Sequence, residues 1–207
     1  MDTVVYIDGF NLYYGAVKNT PYKWLNVQTM CQLLLPNHHI VKVKYYTARV
    51  SARPNDPGQP IRQQTFLRAL TTIPDLEIVY GQFLQSTIQM PLANPQPGGP
   101  RFATVIKTEE KGSDVNIATH MVHDAHRGLY ETAVIVSNDS DLVEPVKIVR
   151  YDLHKEVGML NPHKRPSYDL RQHVTFMKTI REGVLRQSQF PNQLTDANGV
   201  FHKPPSW

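Results

Sequence analysis

The sequence predicts an α/β protein with a mainly parallel central sheet and helices on both of its faces. Three observations predict it. Strand-like and helix-like stretches alternate about five times along the chain, the pattern of successive β-α-β units. Strands such as Val134, Ile135 and Val136 are β-branched runs with no alternation, which suits a strand covered on both faces. The chain has 207 residues, 41% apolar and 19% charged. That is enough to bury a substantial core in one domain, and too apolar for disorder.

Taken in order, TVVYID (3–8) is the first strand, with Gly9 as its breaker, and Asn11 can open a helix. VQTMCQLLL (27–35) has helical composition until Pro36 stops it. IVKVKYYTARV (40–50) alternates and is rich in Val and Tyr, a second strand, and the loop ARPNDPGQP follows. Residues 61–73 place Phe66, Leu67, Leu70 and Ile73 on one helical face before Pro74. LEIVYGQF (76–83) is a third strand. Residues 84–108 break the rhythm: two extended arms flank a Pro/Gly-rich tip, Asn94 to Pro100, and predict a hairpin-like insertion.

A helix over 113–128 follows, with Ala118, Met121, Val122 and Ala125 at helical spacing and Gly128 as its stop. Next come the strand ending at Val136, a helix from Asp141 to Arg150, the strand EVGML (156–160) and a short strand near VTFMKTI. The expected division is one domain over 1–185 and a C-terminal tail over 186–207, with the last fifteen residues loose.

Several classes are excluded. No apolar run approaches the roughly 18 residues of a membrane span, and MDTVVYID lacks the basic and apolar regions of a signal peptide. The single cysteine, Cys31, lies in an apolar run and leaves no internal disulfide framework. These features point to the cytoplasm. Net charge is +4, unevenly spread. Residues 1–144 carry 12 Lys/Arg against 13 Asp/Glu, and residues 145–207 carry 10 against 5. A basic C-terminal third suits a polyanion, although a solvated surface explains it too.

The informative stretch is VIVSNDSDLVEPV (134–146), in which a core strand runs into Asp139 and Asp141. Asp8 ends the first strand, Asn11 begins the helix after it, and Asp114 lies in the first turn of a later helix. In a parallel α/β sheet, ligands bind at the carboxyl ends of strands, so all five residues are expected at one crevice. Each also has a local explanation. Asp114 or Ser113 could cap a helix, as could Asp141, and Asp8-Gly9 could be a turn. Together, however, they crowd like charges into one volume, which destabilises the fold unless a cation is present. An all-oxygen donor set suits Mg²⁺ or Mn²⁺ rather than zinc.

YIDGFN, TEEKGSDVNIA and VIVSNDSDLVEP, in this order, resemble the motifs of the NYN domain family of PIN-like metal-dependent ribonucleases, in its bacterial branch. The resemblance runs from about residue 3 to residue 180. It implies a PIN-like three-layer α/β/α sandwich and a Mg²⁺- or Mn²⁺-dependent endoribonuclease acting on single-stranded or structured RNA. It also implies that Asp8, Asp114, Asp139 and Asp141 are the metal-binding and catalytic carboxylates, with Asn11 and Ser137 beside them as substrate-binding polar residues.

Lys111 precedes the helix of Asp114 and could hold a phosphate, or could simply pair with Glu109 or Glu110. Tyr13 and Tyr14 could stack on a base or pack inward. Arg150, Lys155, Lys164, Arg165 and Arg171 form a candidate phosphate track. In HMVHDAHRG, His120 and Asp124 share a helical face, but no zincin pattern appears, and a solvated helix face is expected there. Trp207 is expected to be exposed at the terminus. Rival functions are a structure-specific DNA nuclease, against which the missing long helical arch argues, and a nucleic-acid-binding or oligomerising module that holds metal without turnover. A homodimer stays open. A phosphatase is disfavoured because DGFN lacks a D-x-D nucleophile pattern, and no GxxxxGK loop occurs.

Overall fold

Six parallel strands form the central sheet of the computed structural model, which describes residues 1–207. They are β1 (Asp2–Asp8), β2 (His39–Thr47), β3 (Leu76–Tyr80), β6 (Thr132–Val136), β7 (Glu156–Asn161) and β8 (Phe176–Thr179). Their order is β3-β2-β1-β6-β7-β8, and every adjacent pair is parallel. The chain winds outward from β1 in one direction and from β6 in the other. The gap between the carboxyl ends of β1 and β6 is therefore the topological switch point, where such sheets open a crevice.

Side chains alternate across the sheet, so one strand feeds two cores. Val5, Ile7, Val43, Tyr45, Val134 and Val136 face a core built with α2 (Val27–Leu34), α3 (Gln59–Leu70) and α7 (Glu182–Gln187). Val4, Tyr6, Tyr46, Ala133, Ile135 and Met159 face a second core. That core is completed by α4 (Ser113–His126), α5 (Val143–Lys147) and α6 (Tyr168–His173). The result is a three-layer α/β/α sandwich. No helix is long and apolar enough to cross a membrane.

Several boundaries differ from expectation. Helix α1 (Gly9–Leu12) starts at once after β1 instead of at Asn11, and a π-helical turn over Tyr13–Val17 continues it. Only glycine fits at its first position. A Cβ on Gly9 would lie 2.7 Å from both the Tyr45 ring tip and the Tyr46 carbonyl oxygen. The third strand ends at Tyr80 rather than Phe83, because β4 (Gln82–Pro91) leaves the sheet after Gly81 and pairs with β5 (Phe102–Lys111). The insertion expected over 84–108 is indeed a hairpin, with antiparallel arms from Gln82↔Lys111 to Pro91↔Phe102. The helix expected over Asp141–Arg150 is divided into a 3₁₀ turn (Ser140–Leu142), α5, and a π-helical turn (Ile148–Asp152). Pro145 falls in the first turn of α5, where its missing N–H costs little.

The segment 186–207 is not a loose tail. It forms a hairpin of β9 (Gln193–Asp196) and β10 (Gly199–His202) that closes over the first core. Arg68 on α3 donates from Nε and Nη2 to the two Asp196 carboxylate oxygens, at 2.7 and 2.6 Å. Trp207 is packed rather than free, with its ring 5.8 Å from Phe66 and 6.5 Å from the fully buried Trp24. Composition concealed this because Phe190, Phe201 and Trp207 follow no strand or helix period.

Candidate metal centre

Asp8 closes β1 at the switch point and is 5% exposed. Its Oδ1 accepts the Asn11 backbone N–H at 2.9 Å, so it caps α1 as a turn residue would. Its Oδ2 accepts the Ser137 hydroxyl at 3.3 Å. The same Ser137 oxygen accepts the Asp139 backbone N–H at 3.1 Å, tying the ends of β1 and β6 together. Asp139 caps the 3₁₀ turn, its Oδ1 accepting from the Asp141 N–H at 3.0 Å. Asp141 is exposed, and it is the capped residue rather than the cap.

Asn11 holds the next layer. Its Oδ1 accepts the Asn138 backbone N–H at 3.0 Å and lies 3.1 Å from His163 Nε2. The loop after β7 is pinned to the same place: the Asn138 side chain meets the Ser167 N–H and the Arg165 carbonyl. The Asn161 side chain in turn fixes the His163 backbone. This sets the exposed Lys164 and Arg165 beside the crevice. Asn138, Asn161 and His163 escaped sequence reasoning. The available signal was that β7 neighbours β6, so the polar loop following its carboxyl end borders the same crevice.

Asp114 enters from α4. Gly112, with φ of 104°, lets the chain turn from β5 into the helix in a conformation that side chains disfavour. Neither Ser113 nor Asp114 is the N-cap. Instead Glu110 Oε1 accepts from the Ser113 N–H at 3.3 Å and the Ser113 hydroxyl at 2.9 Å. Glu110, expected only as a pairing partner for Lys111, thus holds the start of α4 instead. Lys111 is exposed, its Nζ 3.6 Å from Glu109 Oε2, the local pairing that was the alternative to a phosphate role.

The acids lie near enough to act on one another. Burial raises the Asp8 carboxyl to about 6, with the Asp114 and Asp139 carboxylates adding to the rise against the Asn11 and Ser137 hydrogen bonds. Burial also raises Asp114 to about 6, assisted by Asp139, Glu110 and Asp141. Asp8, Asp114 and Asp139 thus repel one another across the crevice, and Asp141 acts on Asp114 from its edge.

An all-oxygen donor set such as this one suits a hard cation by its chemistry. No three His, Cys, Asp or Glu side chains stand so that they could hold a metal ion by themselves. Mg²⁺ retains several waters and takes one or two carboxylates plus substrate phosphate, which is what spaced, mutually repelling carboxyls offer.

The motif HMVHDAHRG behaves differently from the solvated face expected. Asp124 is buried, accepting from the Tyr6 hydroxyl at 2.7 Å and Lys44 Nζ at 2.6 Å. The Tyr46 hydroxyl is 3.0 Å from His120 Nδ1. These contacts tie α4 to β1 and β2.

A family model described as the NYN domain matches residues 2–179. The chain belongs to the NYN domain family. This NYN domain is also 28% identical, over an alignment of 234 residues, to 6-hydroxy-3-succinoylpyridine 3-monooxygenase HspA of Pseudomonas putida. The match covers 99% of this chain and 75% of that protein. A crystal structure of a protein of unknown function from Vibrio parahaemolyticus superposes on the NYN domain with a TM-score of 0.58 at 17% identity. It covers 87% of this chain and 93% of the other, and shows the shared fold. The sandwich is the PIN-like, nuclease-like architecture that the motifs implied.

The raised carboxyls make a pH prediction for this NYN domain. Asp8 and Asp114 both bind protons more tightly folded than unfolded, where 3.8 is ordinary. Their stabilising contribution is complete below that ordinary value and is lost as pH rises through about 6. For buried Asp8 the difference corresponds to about 3 kcal/mol. In EDTA the melting temperature is expected to fall between pH 5 and 7, and Mn²⁺ should restore it more at pH 7 than at pH 5. Calorimetry showing equal Mn²⁺ stabilisation at both pH values would contradict this.

Proposed function

We propose that this NYN domain is a metal-dependent endoribonuclease, acting on single-stranded or structured RNA in the cytoplasm. One observation carries the reading: Asp8 at the end of β1 and Asp139 after β6 are tied through the Ser137 hydroxyl at the switch point, with Asp114 of α4 near enough to help raise the Asp8 carboxyl. Asp8, Asp114 and Asp139, with Asp141 at the edge, would hold Mg²⁺ or Mn²⁺. Such an ion, when bound, supplies a more acidic water and a counter-charge for the phosphate.

The remaining residues orient and bind. Ser137 aims the Asp8 carboxylate and the Asp139 backbone through one hydroxyl. Asn11, fixed by Asn138 and His163, shapes the wall toward the loop of Lys164 and Arg165. Lys111, Lys164 and Arg165 would meet substrate phosphates. A homodimer remains part of this reading.

The direct test is cleavage of labelled RNA and DNA by the purified protein in Mg²⁺, Mn²⁺ or EDTA. Metal-dependent cuts in RNA, absent in EDTA, are expected. Metal-dependent cutting of branched DNA alone would select the DNA-nuclease alternative. Binding of metal and RNA without cleavage would select the silent module.

Replacing Lys111, or Lys164 and Arg165 together, with Ala should weaken RNA binding and flatten its salt dependence. Each lost phosphate contact on a single strand removes about 0.7 from the log–log slope. Slopes unchanged in both variants would mean that the basic surface serves solubility.

A second reading has one observation in its favour, the similarity to a monooxygenase over 99% of the chain. An oxygenase needs a cofactor or metal that activates oxygen and a source of electrons. Oxygen consumption with 6-hydroxy-3-succinoylpyridine and NADH, without RNA cleavage, would replace the nuclease reading.

A further inference from the structure

On the sheet face away from α4, beneath α1, lies a cavity of about 120 Å³ that the acidic crevice does not use. Its lining includes Tyr13, Tyr45, Phe66 and Trp207. The rings are tilted against one another: Tyr45 and Phe66 centroids are 6.2 Å apart at 73°, and Phe66 and Trp207 are 5.8 Å apart at 60°. Such walls present both faces and edges to a planar guest.

Two polar features point to what the guest carries. The Tyr45 side chain is 6% exposed, and its hydroxyl oxygen would lie 2.7 Å from a Cβ on Gly9. It lines the cavity beside Gly9 and Phe66. Its hydroxyl makes no hydrogen bond within the protein and is not sealed off as an unpartnered buried atom, so it is a donor reached from the cavity and available to a ligand. Among the charged lining residues, Arg62 is paired with Asp56 through Nη2 and Oδ1 at 2.6 Å. Lys23 has no carboxylate partner and leaves the lining with one net positive charge.

Size narrows the choice. A cavity of roughly 150 Å³ takes one benzene, so the enclosed volume of about 120 Å³ admits at most one six-membered ring, with its substituents outside it. We propose that this cavity binds a single planar heteroaromatic ring that accepts a hydrogen bond from Tyr45 and carries an anionic group toward Lys23. A pyrimidine nucleotide and a free heteroaromatic acid share that chemistry. The proposal stands whether or not the acidic crevice cleaves RNA.

The two tryptophans, Trp24 and Trp207, make the site observable. Trp207 lines the cavity and lies 6.5 Å from Trp24, so an occupant should quench intrinsic fluorescence. The titration is done in EDTA, with UMP, AMP and nicotinate as separate ligands, so its outcome is independent of catalysis. Saturable quenching by UMP or nicotinate is expected, with AMP at least about 10-fold weaker. UMP alone would assign the ring to a nucleic acid, and nicotinate alone to a free acid. Tyr45→Phe should weaken binding about 10-fold, as loss of one buried hydrogen bond does. Val50→Trp, which fills the cavity from a partly exposed lining position, should abolish binding while melting near the parent. No saturable quenching by any of the three, AMP binding as tightly as the others, or unchanged binding in both variants would overturn the proposal.

Discussion

Asp8→Asn should give a protein that is more stable and at least about 10²-fold less active toward RNA. The two effects have one cause. At neutral pH the Asp8 carboxylate is ionised although it is buried and faces Asp114 and Asp139. Asparagine keeps an oxygen for the Asn11 N–H and can donate to the Ser137 hydroxyl, so the cap and the strand-end tie survive. What disappears is the charge. Stability at pH 7 should rise by about 1–3 kcal/mol, or several degrees in Tm, and the fall in Tm between pH 5 and 7 should flatten. Cleavage should drop because a carboxylate donor to the proposed cation is gone, and metal assistance contributes several kcal/mol. Melting curves and single-turnover cleavage in Mn²⁺ measure both. A variant that is stabilised yet cleaves as the parent does would remove Asp8 from the chemistry.

The opposite pattern is expected for Asp124→Asn. Lys44 and Asp124 are 13% and 6% exposed, and Nζ sits 2.6 Å from the carboxylate that also accepts from Tyr6. The amide can still accept from Tyr6 but cannot neutralise Lys44. Removing one partner of a buried pair strands the other charge, at a cost of about 3–5 kcal/mol. Tm should fall by about 10 °C. Cleavage per folded molecule should be retained at 25 °C, since Asp124 lies two turns and more beyond Asp114 on α4. Adding Lys44→Met should recover much of the loss, because it removes the stranded ammonium at similar side-chain volume. A double variant no more stable than Asp124→Asn would show that the stranded Lys44 charge is not the source of the loss.

These two aspartates also show what a sequence conveys. Asp8 ends an apolar run, and the rule that ligands sit at strand carboxyl ends locates it, as it does Asp139, without any contact being known. The parallel sheet was legible for the same local reason, in β-branched runs punctuated by Gly and Pro. Asp124 carries no such mark. Its helical spacing beside His120 reads as a polar face, and only strands β1 and β2 supply the Tyr6 and Lys44 that bury it. Asn138 and His163 were hidden likewise, because their partners Ser167 and Asn11 are 29 and 152 positions away. The C-terminal hairpin was missed because its strands are four residues each and its anchors, Asp196 and Phe201, bind α3 and Trp24 across the fold.

The hydrogen bond between Asp8 and Ser137 joins residues 129 positions apart, and this has a bearing on biogenesis. As the chain leaves the ribosome, β1 can pair with β2 once Thr47 has been made, yet its other neighbour ends only at Val136. Through that interval Asp8 lies on an open sheet edge, hydrated and remote from Asp139. Closing so long a loop into a parallel pair is slow. The repulsion among the acids is therefore imposed late, when most of the hydrophobic layers are already available to oppose it. A nascent or proteolytically shortened chain that lacks β6 has no crevice, so the acidic centre itself certifies that synthesis has passed the middle of the protein.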